Sequence, residues 1–354
     1  MQDLPDVSVV DILSALPYTQ LIAVLCVCRK WHELRASEPY RAARAAMDER
    51  YLVVSIAVGR QGPYRCDRHC EVLVDGRWRE RTPLPHDFIG STTLFCGELI
   101  HLGCERPEGR QWSPCCRAFD PEGNAWRSLK WEAGIVWACC AIDAVVVTFS
   151  SAEAENRGRL RSLRPGSAAE GWVSIPHPLR DVLSIRCFPP SLCCVEDVLY
   201  IVGGEEGIGA VSDALQAFDL SSRRWTVRAP LPEPRCNSMC VELAGSVYAI
   251  GGSASGSATT KFGRLRAEVF SYDPRADRWR SEAPLPLEEY GAGSQSSGAD
   301  LGAVSHKGRV VVIGIRGAPP LALVNGVWTE LPPLPPHAVF GTALSAHLAS
   351  IRLG

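Results

Sequence analysis

The residues best suited to metal chemistry lie together in the segment Cys66-Asp67-Arg68-His69-Cys70. Thiolate and imidazole groups are the ligands that zinc prefers, and a structural zinc site usually takes four of them. This segment supplies at most three such ligands, and no second cysteine pair follows it at the spacing of a zinc site. We therefore predict no metal and no other cofactor, and keep a site at this segment as the alternative.

Most of the 15 cysteines lie in strand-like runs, and three runs hold adjacent pairs: Cys115-Cys116, Cys139-Cys140 and Cys193-Cys194. Adjacent residues of a strand point to opposite faces of the sheet, so the two members of such a pair are poor disulfide partners for each other. We interpret these thiols as reduced side chains that fill a core.

The sequence lacks the motifs that would indicate an enzyme. Its eight histidines are scattered, and neither H-E-x-x-H nor G-x-S-x-G occurs. The glycine pairs Gly203-Gly204 and Gly251-Gly252 end hydrophobic runs that no helix follows, which is unlike a phosphate-binding loop. These features predict a protein without catalytic residues.

Charge and hydropathy exclude several classes of partner. The formal net charge is -2, which gives no bulk electrostatic reason to expect nucleic acid or a membrane surface. The longest apolar stretch, residues 135–149, contains Asp143, and the N-terminus has acids and Pro5 where a signal peptide would be basic and then apolar. We expect a protein of the cytoplasm, the nucleus or both.

Six tryptophans recur every 46 to 54 residues: Trp78, Trp126, Trp172, Trp225, Trp279 and Trp328. A strand-rich repeat of this length is typical of a β-propeller, in which each small sheet buries its faces against the neighbouring sheets. The fold class is therefore mainly β, with six blades. Residues 341–348 follow the last repeat as a spare strand, and we predict that they complete the first blade and close the ring.

The first fifty residues show helical periodicity instead. Val9, Ile12, Leu13 and Leu16 fall on one helix face, Pro17 interrupts the pattern, and Leu21 begins a second amphipathic segment. Helices this short bury too little surface to be stable alone. An apolar face of this segment must therefore cover another protein or the adjacent domain.

The N-terminal residues resemble the F-box. Leu4-Pro5-Asp6, Ile12-Leu13, Leu16-Pro17, Leu21, Val27 to Trp31 and Leu34 follow in the family's order and spacing, and Tyr40 stands where many members have Phe. The resemblance implies docking on Skp1, the linker subunit that connects F-box proteins to a cullin in SCF-type ubiquitin ligases. The residues it implies for Skp1 binding are Leu4, Pro5, Ile12, Leu13, Leu16, Pro17, Leu21, Val27 and Trp31. A helical cap on the propeller is the alternative.

The repeats resemble the kelch motif. A glycine pair after a hydrophobic strand, an aromatic-Asp step such as Phe218-Asp219, and a Trp six residues later carry this resemblance. Together the two resemblances predict a small three-helix F-box domain at residues 1–50 and a six-bladed kelch propeller at residues 51–354. They imply a non-catalytic substrate-recognition subunit of a ubiquitin ligase. The alternatives are a kelch interaction scaffold unconnected with ubiquitination and, less favoured, a propeller enzyme.

Loop length indicates where a protein substrate would bind. The connections between the second and third strands of a repeat, and between one repeat and the next, are the long ones, and in an antiparallel blade they emerge on one face. Arginine is frequent in these loops, and its planar fork suits carboxylate or phosphate groups. The substrate-face candidates are Arg65, Arg110, Arg186, Arg235 and Arg264. Acidic residues are interleaved with them, so a solvated mixed surface is the alternative.

Overall fold

A computed structural model of the chain describes the following residues: 9–10, 12–13, 39, 50–59, 66–74, 76–95, 98–107, 111–120, 124–129, 136–142, 145–151, 158–163, 173–175, 190–206, 210–254, 264–291, 301–336 and 343–352. Nearly all of them lie in antiparallel strands or in the turns that join them. The strands form six four-stranded sheets, which are the blades of a propeller, and one small hairpin.

The first three blades occupy the first half of the chain. Blade 1 contains β1 (Arg50–Gly59), β2 (Cys66–Val74) and β3 (Arg77–Arg81). Blade 2 contains β4 (Asp87–Phe95), β5 (Glu98–Arg106), β6 (Ser113–Asp120) and β7 (Ala125–Leu129). Blade 3 contains β8 (Val136–Ile142), β9 (Val145–Ser151), β10 (Gly158–Leu163) and β11 (Val173–Ile175).

The remaining blades follow in order. Blade 4 contains β12 (Ser191–Val195), β13 (Val198–Val202), β16 (Leu215–Asp219) and β17 (Arg224–Arg228), and its long connection forms the hairpin of β14 (Glu205–Glu206) and β15 (Ala210–Val211). Blade 5 contains β18 (Met239–Leu243), β19 (Ser246–Ile250), β20 (Val269–Asp273) and β21 (Arg278–Ser281). Blade 6 contains β22 (Gly302–His306), β23 (Arg309–Ile313), β24 (Leu321–Val324) and β25 (Val327–Glu330).

The last strand, β26 (Ala343–Arg352), belongs to blade 1. It pairs antiparallel with β1 from Arg50 opposite Arg352 to Val58 opposite Ala343. The first strands of the six blades contact one another in the cyclic order β26, β4, β8, β12, β18 and β22, and β22 contacts β26. The ring is therefore closed by strands from both ends of the propeller, and the six-bladed architecture predicted from the sequence is confirmed. The closing strand extends four residues beyond the predicted residue 348.

Apolar packing between neighbouring blades holds the ring together. A cluster of buried residues lies at each of the six seams, and each cluster draws on both of the blades that meet there. At the seam between blades 3 and 4, for example, Phe149 and Leu160 of blade 3 pack with Leu199 and Phe218 of blade 4. Because a single blade leaves its two faces uncovered, its stability depends on its neighbours.

The repeating tryptophans connect the blades directly. Trp172 lies outside the described residues, and the other five each lie on the outermost strand of a blade. Three of these five lie opposite an aromatic residue of the third strand: Phe119 with Trp126, Phe218 with Trp225 and Tyr272 with Trp279. The ring centroids of these pairs are 5.0, 4.8 and 5.1 Å apart. Four indole Nε1 groups donate to carbonyl oxygens that follow the last strand of the preceding blade. These are Trp78 to Pro332, Trp126 to Thr82, Trp279 to Ala229 and Trp328 to Ala283.

Two-residue turns join several strands, and their dihedral angles explain the residues found there. Asn325 and Gly326 have φ of 50° and 77°, and Lys307 and Gly308 have φ of 48° and 71°. Positive φ at both central positions is the geometry of a type I′ turn, which suits the twist of a hairpin. The Asn325-Gly326 step, a residue pair typical of such turns, therefore forms the hairpin between β24 and β25.

Only a few residues before Arg50 are described. Residues 9–10 and 12–13 are helical; Val9, Val10 and Leu13 are buried, whereas Ile12 is 46% exposed. Since most of residues 1–49 lie outside the described ranges, the domain boundary at residue 50 stays a prediction. Within the described parts of the chain, no helix has the length and apolarity needed to cross a membrane.

Candidate interaction surface

The described parts of the long connections of blades 4 to 6 lie on one face, where backbone hydrogen bonds join them. Blade 4 shows the arrangement: Leu231 N donates to Asp213 O at 2.8 Å, and Arg235 N donates to Ser212 O at 3.0 Å. These bonds tie the segment that leads out of blade 4 to the connection between β13 and β16. Blades 5 and 6 repeat the first of them, from Leu285 to Ala267 and from Leu331 to Pro320. We call this surface the long-loop face.

Glycine pairs allow the loops of this face to pack closely. A Cβ atom on Gly203 would lie 2.1 Å from the carbonyl oxygen of Arg235, and one on Gly252 would lie 2.7 Å from the carbonyl oxygen of Cys236. Gly203 and Gly252 also have φ of 61° and 83°, in the region that favours glycine. Gly203 of blade 4 and Gly252 of blade 5 thus contact the backbone of the segment around Arg235 on two sides.

The side chain of Arg235 is buried in the structure, with 0% of its surface exposed. Its Nη1 donates to Gly251 O at 2.8 Å and to Glu268 O at 3.0 Å, and its guanidinium lies 4.7 Å from the ring centroid of Phe270. Burial lowers the pKa of this guanidinium, although Glu268 and Glu233 oppose the shift. Arg235 therefore fastens the connection from blade 4 onto blade 5. The structure does not support the expectation that Arg235 faces a substrate at the surface. The glycine pairs allow the loop that carries Arg235 to pack closely on blades 4 and 5, and its side chain is buried there.

A partly exposed ion cluster covers Arg235. Arg266 Nη2 lies 2.6 Å from Glu233 Oε2 and 3.1 Å from Glu268 Oε1, while Arg235 Nη2 lies 3.4 Å from Glu233 Oε2 and 3.6 Å from Glu268 Oε2. The hydrogen bond to Glu233 is the main cause that raises the pKa of Arg266. Two acids and two bases balance in charge, so this part of the long-loop face is a mixed polar surface.

A second feature of the long-loop face is the pair of Arg106 and Trp112, at the connection between β5 and β6. The Arg106 guanidinium lies 5.1 Å from the centroid of the Trp112 ring, and Trp112 is 39% exposed. Beside it, Arg117 makes a 2.7 Å ion pair with Glu105. Tryptophan and arginine are the residues most enriched among binding hot spots. Trp112 was not among the residues chosen from the sequence. The sequence signal that could have identified it is that Trp112 falls outside the 46- to 54-residue spacing of the repeating tryptophans.

The substrate-face candidates divide into three groups in the structure. Arg65, Arg110 and Arg186 lie outside the described residues. Arg235 is buried, and Arg264 is exposed at the end of the connection between β19 and β20. Of the residues implied for Skp1 binding, Ile12 and Leu13 are described, and Leu4, Pro5, Leu16, Pro17, Leu21, Val27 and Trp31 are not.

A cavity of about 320 Å³ opens at the seam between blades 6 and 1. Gly76 and Lys307 of its lining belong to turns that join β2 to β3 and β22 to β23, so it lies at the face opposite the long loops. His306 and Arg309 contribute polar groups, and Leu73 lies among the apolar ones.

The alternative of a metal site finds no ligand set in the described residues. Cys70 is completely buried in the cluster at the seam between blades 1 and 2, and burial raises the pKa of its thiol to about 12. His69 is the adjacent residue of β2, so its side chain points to the other face of the sheet. No group of three or more His, Cys, Asp or Glu residues that could hold a metal ion occurs among the described positions.

Comparison with protein families identifies both parts of the chain. An F-box-like family model matches residues 1–39, and a Kelch motif model matches residues 186–232 and 234–286. The second match covers the two regular repeats that become blades 4 and 5. Neither model is that of an enzyme family.

Relatives with known names match parts of the chain. Kelch-like protein 35 of Mus musculus is 32% identical over 36% of this chain, F-box protein AFR of Arabidopsis thaliana 27% over 34%, and Kelch-like protein terF of Aspergillus terreus 23% over 74%. The matches cover 20%, 31% and 57% of these three relatives, respectively. The solved structure of YjhT superposes with a TM-score of 0.54 at 12% identity, covering 74% of this chain and 90% of that one. At this identity the likeness shows the fold alone.

Proposed function

This chain combines an F-box-like domain with Kelch motifs, and from that combination we propose that it is the substrate-recognition subunit of an SCF-type ubiquitin ligase. Its N-terminal segment would bind a Skp1-like linker protein, and through it a cullin, in the cytoplasm or the nucleus. The propeller would bind a protein target and present it for ubiquitination. In this proposal the chain itself is a non-catalytic adaptor.

The observation that carries the proposal is the match of residues 1–39 to an F-box-like model in a chain whose described residues from Arg50 to Arg352 form a closed propeller. The few described residues of that segment add a physical reason. Val9, Val10 and Leu13 are buried, whereas Ile12 is exposed on the same short helical stretch. An exposed isoleucine beside a buried face is suited to insertion into an apolar groove of a partner. Ile12 is therefore a better probe of docking than Leu13, whose substitution would also disturb packing.

The target would bind on the long-loop face. Loops on a rigid scaffold are the usual place for recognition, and hydrogen bonds between neighbouring connections hold these loops in place. Trp112 with Arg106, the exposed Arg264 and the partly exposed Arg266 are the described side chains on that face that we propose as contacts.

Purified Skp1 provides the direct test. We expect the full chain to bind Skp1, and Ile12→Asp to weaken binding by tenfold or more, because a charge would replace an apolar anchor. The matched control is Val227→Asp, which alters an aliphatic residue that is 82% exposed on the outer strand of blade 4. It should bind Skp1 like the wild type. Both variants should keep the unfolding transition of the propeller.

Two outcomes would count against the proposal. If the wild-type chain does not bind Skp1, the chain is better described as a kelch interaction scaffold. If Ile12→Asp binds as tightly as Val227→Asp, the F-box-like segment does not dock through the exposed side chain. Addition of purified cullin should yield a ternary complex, and only with variants that bind Skp1.

A further inference from the structure

Two cysteines from different blades approach each other at the seam between blades 3 and 4. Cys140 lies on β8 and Cys194 on β12, and their Sγ atoms are 3.2 Å apart. This is within the distance of a hydrogen bond between two thiols. Both side chains pack in the apolar cluster of this seam, with Val147, Phe149 and Leu192. The two thiols are 54 residues apart in the sequence, and the ring brings them together.

The alternation of strand residues explains why these two cysteines meet and their neighbours do not. Cys139 precedes Cys140 on β8 and packs instead in the cluster between blades 2 and 3. Cys193 precedes Cys194 on β12 and belongs to the cluster between blades 4 and 5. Each of these two adjacent pairs therefore sends one thiol to each seam, and of these four thiols only Cys140 and Cys194 share a seam.

We propose that Cys140 and Cys194 form a disulfide bond when the protein meets a peroxide, so that blades 3 and 4 become covalently joined. Both cysteines are free thiols in the structure. In the first step the Cys194 sulfur attacks one oxygen of hydrogen peroxide: an S–O bond forms, the O–O bond breaks, and the departing hydroxide takes the Cys194 thiol proton and leaves as water. Cys194 becomes a sulfenic acid. The Cys140 sulfur then attacks the Cys194 sulfur, the S–O bond breaks, and the hydroxide leaves with the Cys140 proton as a second water. Two thiols lose two electrons, and peroxide gains them.

The surroundings of the two sulfurs fit this order of events. Cys194 is partly exposed, whereas Cys140 is buried, so Cys194 is the thiol that an oxidant reaches. The hydrogen bond with Cys194 and burial together raise the pKa of Cys140, which keeps it protonated and less reactive toward oxidants. Cys140 therefore serves as the resolving thiol, already in contact with the sulfur that it attacks.

A disulfide at this position would join blade 3, whose outermost strand β11 has only three residues, covalently to blade 4. The cross-link joins residues of two sequential repeats and restricts the unfolded chain, which stabilises the folded ring. We therefore expect the oxidised protein to unfold at a higher temperature than the reduced protein.

The test is to treat the full chain with hydrogen peroxide, block remaining thiols, digest without reductant and identify linked peptides by mass spectrometry. We expect the Cys140–Cys194 link to be at least tenfold more abundant than any link through Cys139 or Cys193. Cys140→Ala and Cys194→Ala should abolish both the link and the peroxide-dependent rise in unfolding temperature. The matched controls Cys139→Ala and Cys193→Ala, which change the adjacent residue of the same strands, should retain both.

The mapping on the wild-type chain needs no variant, so a variant that fails to fold does not remove the test. A wild-type protein that consumes peroxide without a Cys140–Cys194 link would overturn the proposal. Equal amounts of links through Cys139 or Cys193 would overturn it as well, because the pairing would then not follow from the seam.

Discussion

The indole Nε1 of Trp279 donates a hydrogen bond to the carbonyl oxygen of Ala229 at 2.9 Å, across the seam between blades 5 and 4. The amide of the same residue, Ala229 N, donates to Asp277 Oδ1 at 3.0 Å. Both backbone groups of Ala229 are thus bonded by side chains two residues apart on the next blade. Blades 1 and 2 repeat the arrangement, since Thr82 O accepts from Trp126 and Thr82 N donates to Asn124 Oδ1. The indole bond of this clamp is present for Trp78, Trp126, Trp279 and Trp328, which gives tryptophan a structural role at this position of the repeat.

Trp279→Phe should weaken the clamp between blades 4 and 5 without removing the aromatic packing against Tyr272. The substitution deletes the Nε1 donor and leaves Ala229 O without that bond, which should lower the free energy of unfolding by about 1–2 kcal/mol. Urea denaturation measures the change. Val227→Ala, an exposed site on the outer strand of blade 4, serves as the control and should shift the urea midpoint little. Equal midpoints for the two variants would show that the hydrogen bond contributes nothing.

Asp277 makes the same clamp dependent on pH. Hydrogen bonds from Ala229 N and then Tyr272 OH lower the pKa of Asp277 below its ordinary value. A carboxyl group whose pKa is lower in the folded state contributes stability above its unfolded pKa of about 4, and that contribution is lost as pH falls through the folded pKa. We expect the urea midpoint of the wild type to fall over this acid range.

Asp277→Asn should reduce this acid sensitivity, because the amide oxygen accepts the same bonds and does not titrate. Asn124 already occupies the matching position between blades 1 and 2. The measurement is the urea midpoint of both proteins from pH 6 to pH 2. Parallel curves for the wild type and the variant would mean that other carboxyl groups cause the acid loss.

The regular repeats explain how much of the fold the sequence predicts. The recurring Trp, the glycine pairs and the Asn325-Gly326 step are signals that the sequence of one repeat shows by itself, and the structure gives each a physical cause: an interblade hydrogen bond, a close backbone approach and a positive φ. Asn124 and Asp277, which accept from the backbone of the preceding blade in two of the clamps, give no such signal, because the residue type at this position differs between the two repeats. A single repeat read alone does not show which neighbour its polar side chains reach.

Burial of the candidate residues is harder to predict than the strands. Arg235 and Arg264 both lie in arginine-bearing loops of the same face, yet one is buried and the other is exposed. The difference arises from contacts between distant segments, since the loop of Arg235 crosses Gly203 and its side chain reaches Gly251 and Glu268 on the next blade. The meeting of Cys140 with Cys194 has the same origin. Pairings that depend on which blades are neighbours follow only from the closed ring.

Gly203→Ala should be far more destabilising than Gly245→Ala. Both residues have positive φ, 61° and 77°, so both substitutions carry the backbone cost of about 1–2 kcal/mol. A Cβ at Gly245 meets nothing within 4 Å, whereas at Gly203 it lies 2.1 Å from the carbonyl oxygen of Arg235. The loop from blade 4 would therefore have to move. Thermal unfolding of the two variants provides the comparison, and similar losses in both would show that the loop yields easily.

Arg235→Met tests whether this arginine acts in the structure or at the surface. The substitution keeps an apolar chain over Phe270 but removes the Arg235 donor from Gly251 O and leaves Glu268 O with the 3.3 Å bond from Gly251 N. It also removes the charge that faces Glu233 and Glu268. Loss of one partner of a buried polar network should lower the free energy of unfolding by about 2–4 kcal/mol. Arg264→Met, at an exposed site, should change it by less than about 0.5 kcal/mol. Urea denaturation of the two variants separates the roles. A stable Arg235→Met protein would mean that the buried guanidinium is dispensable, and would return Arg235 to the residues to be examined for target binding.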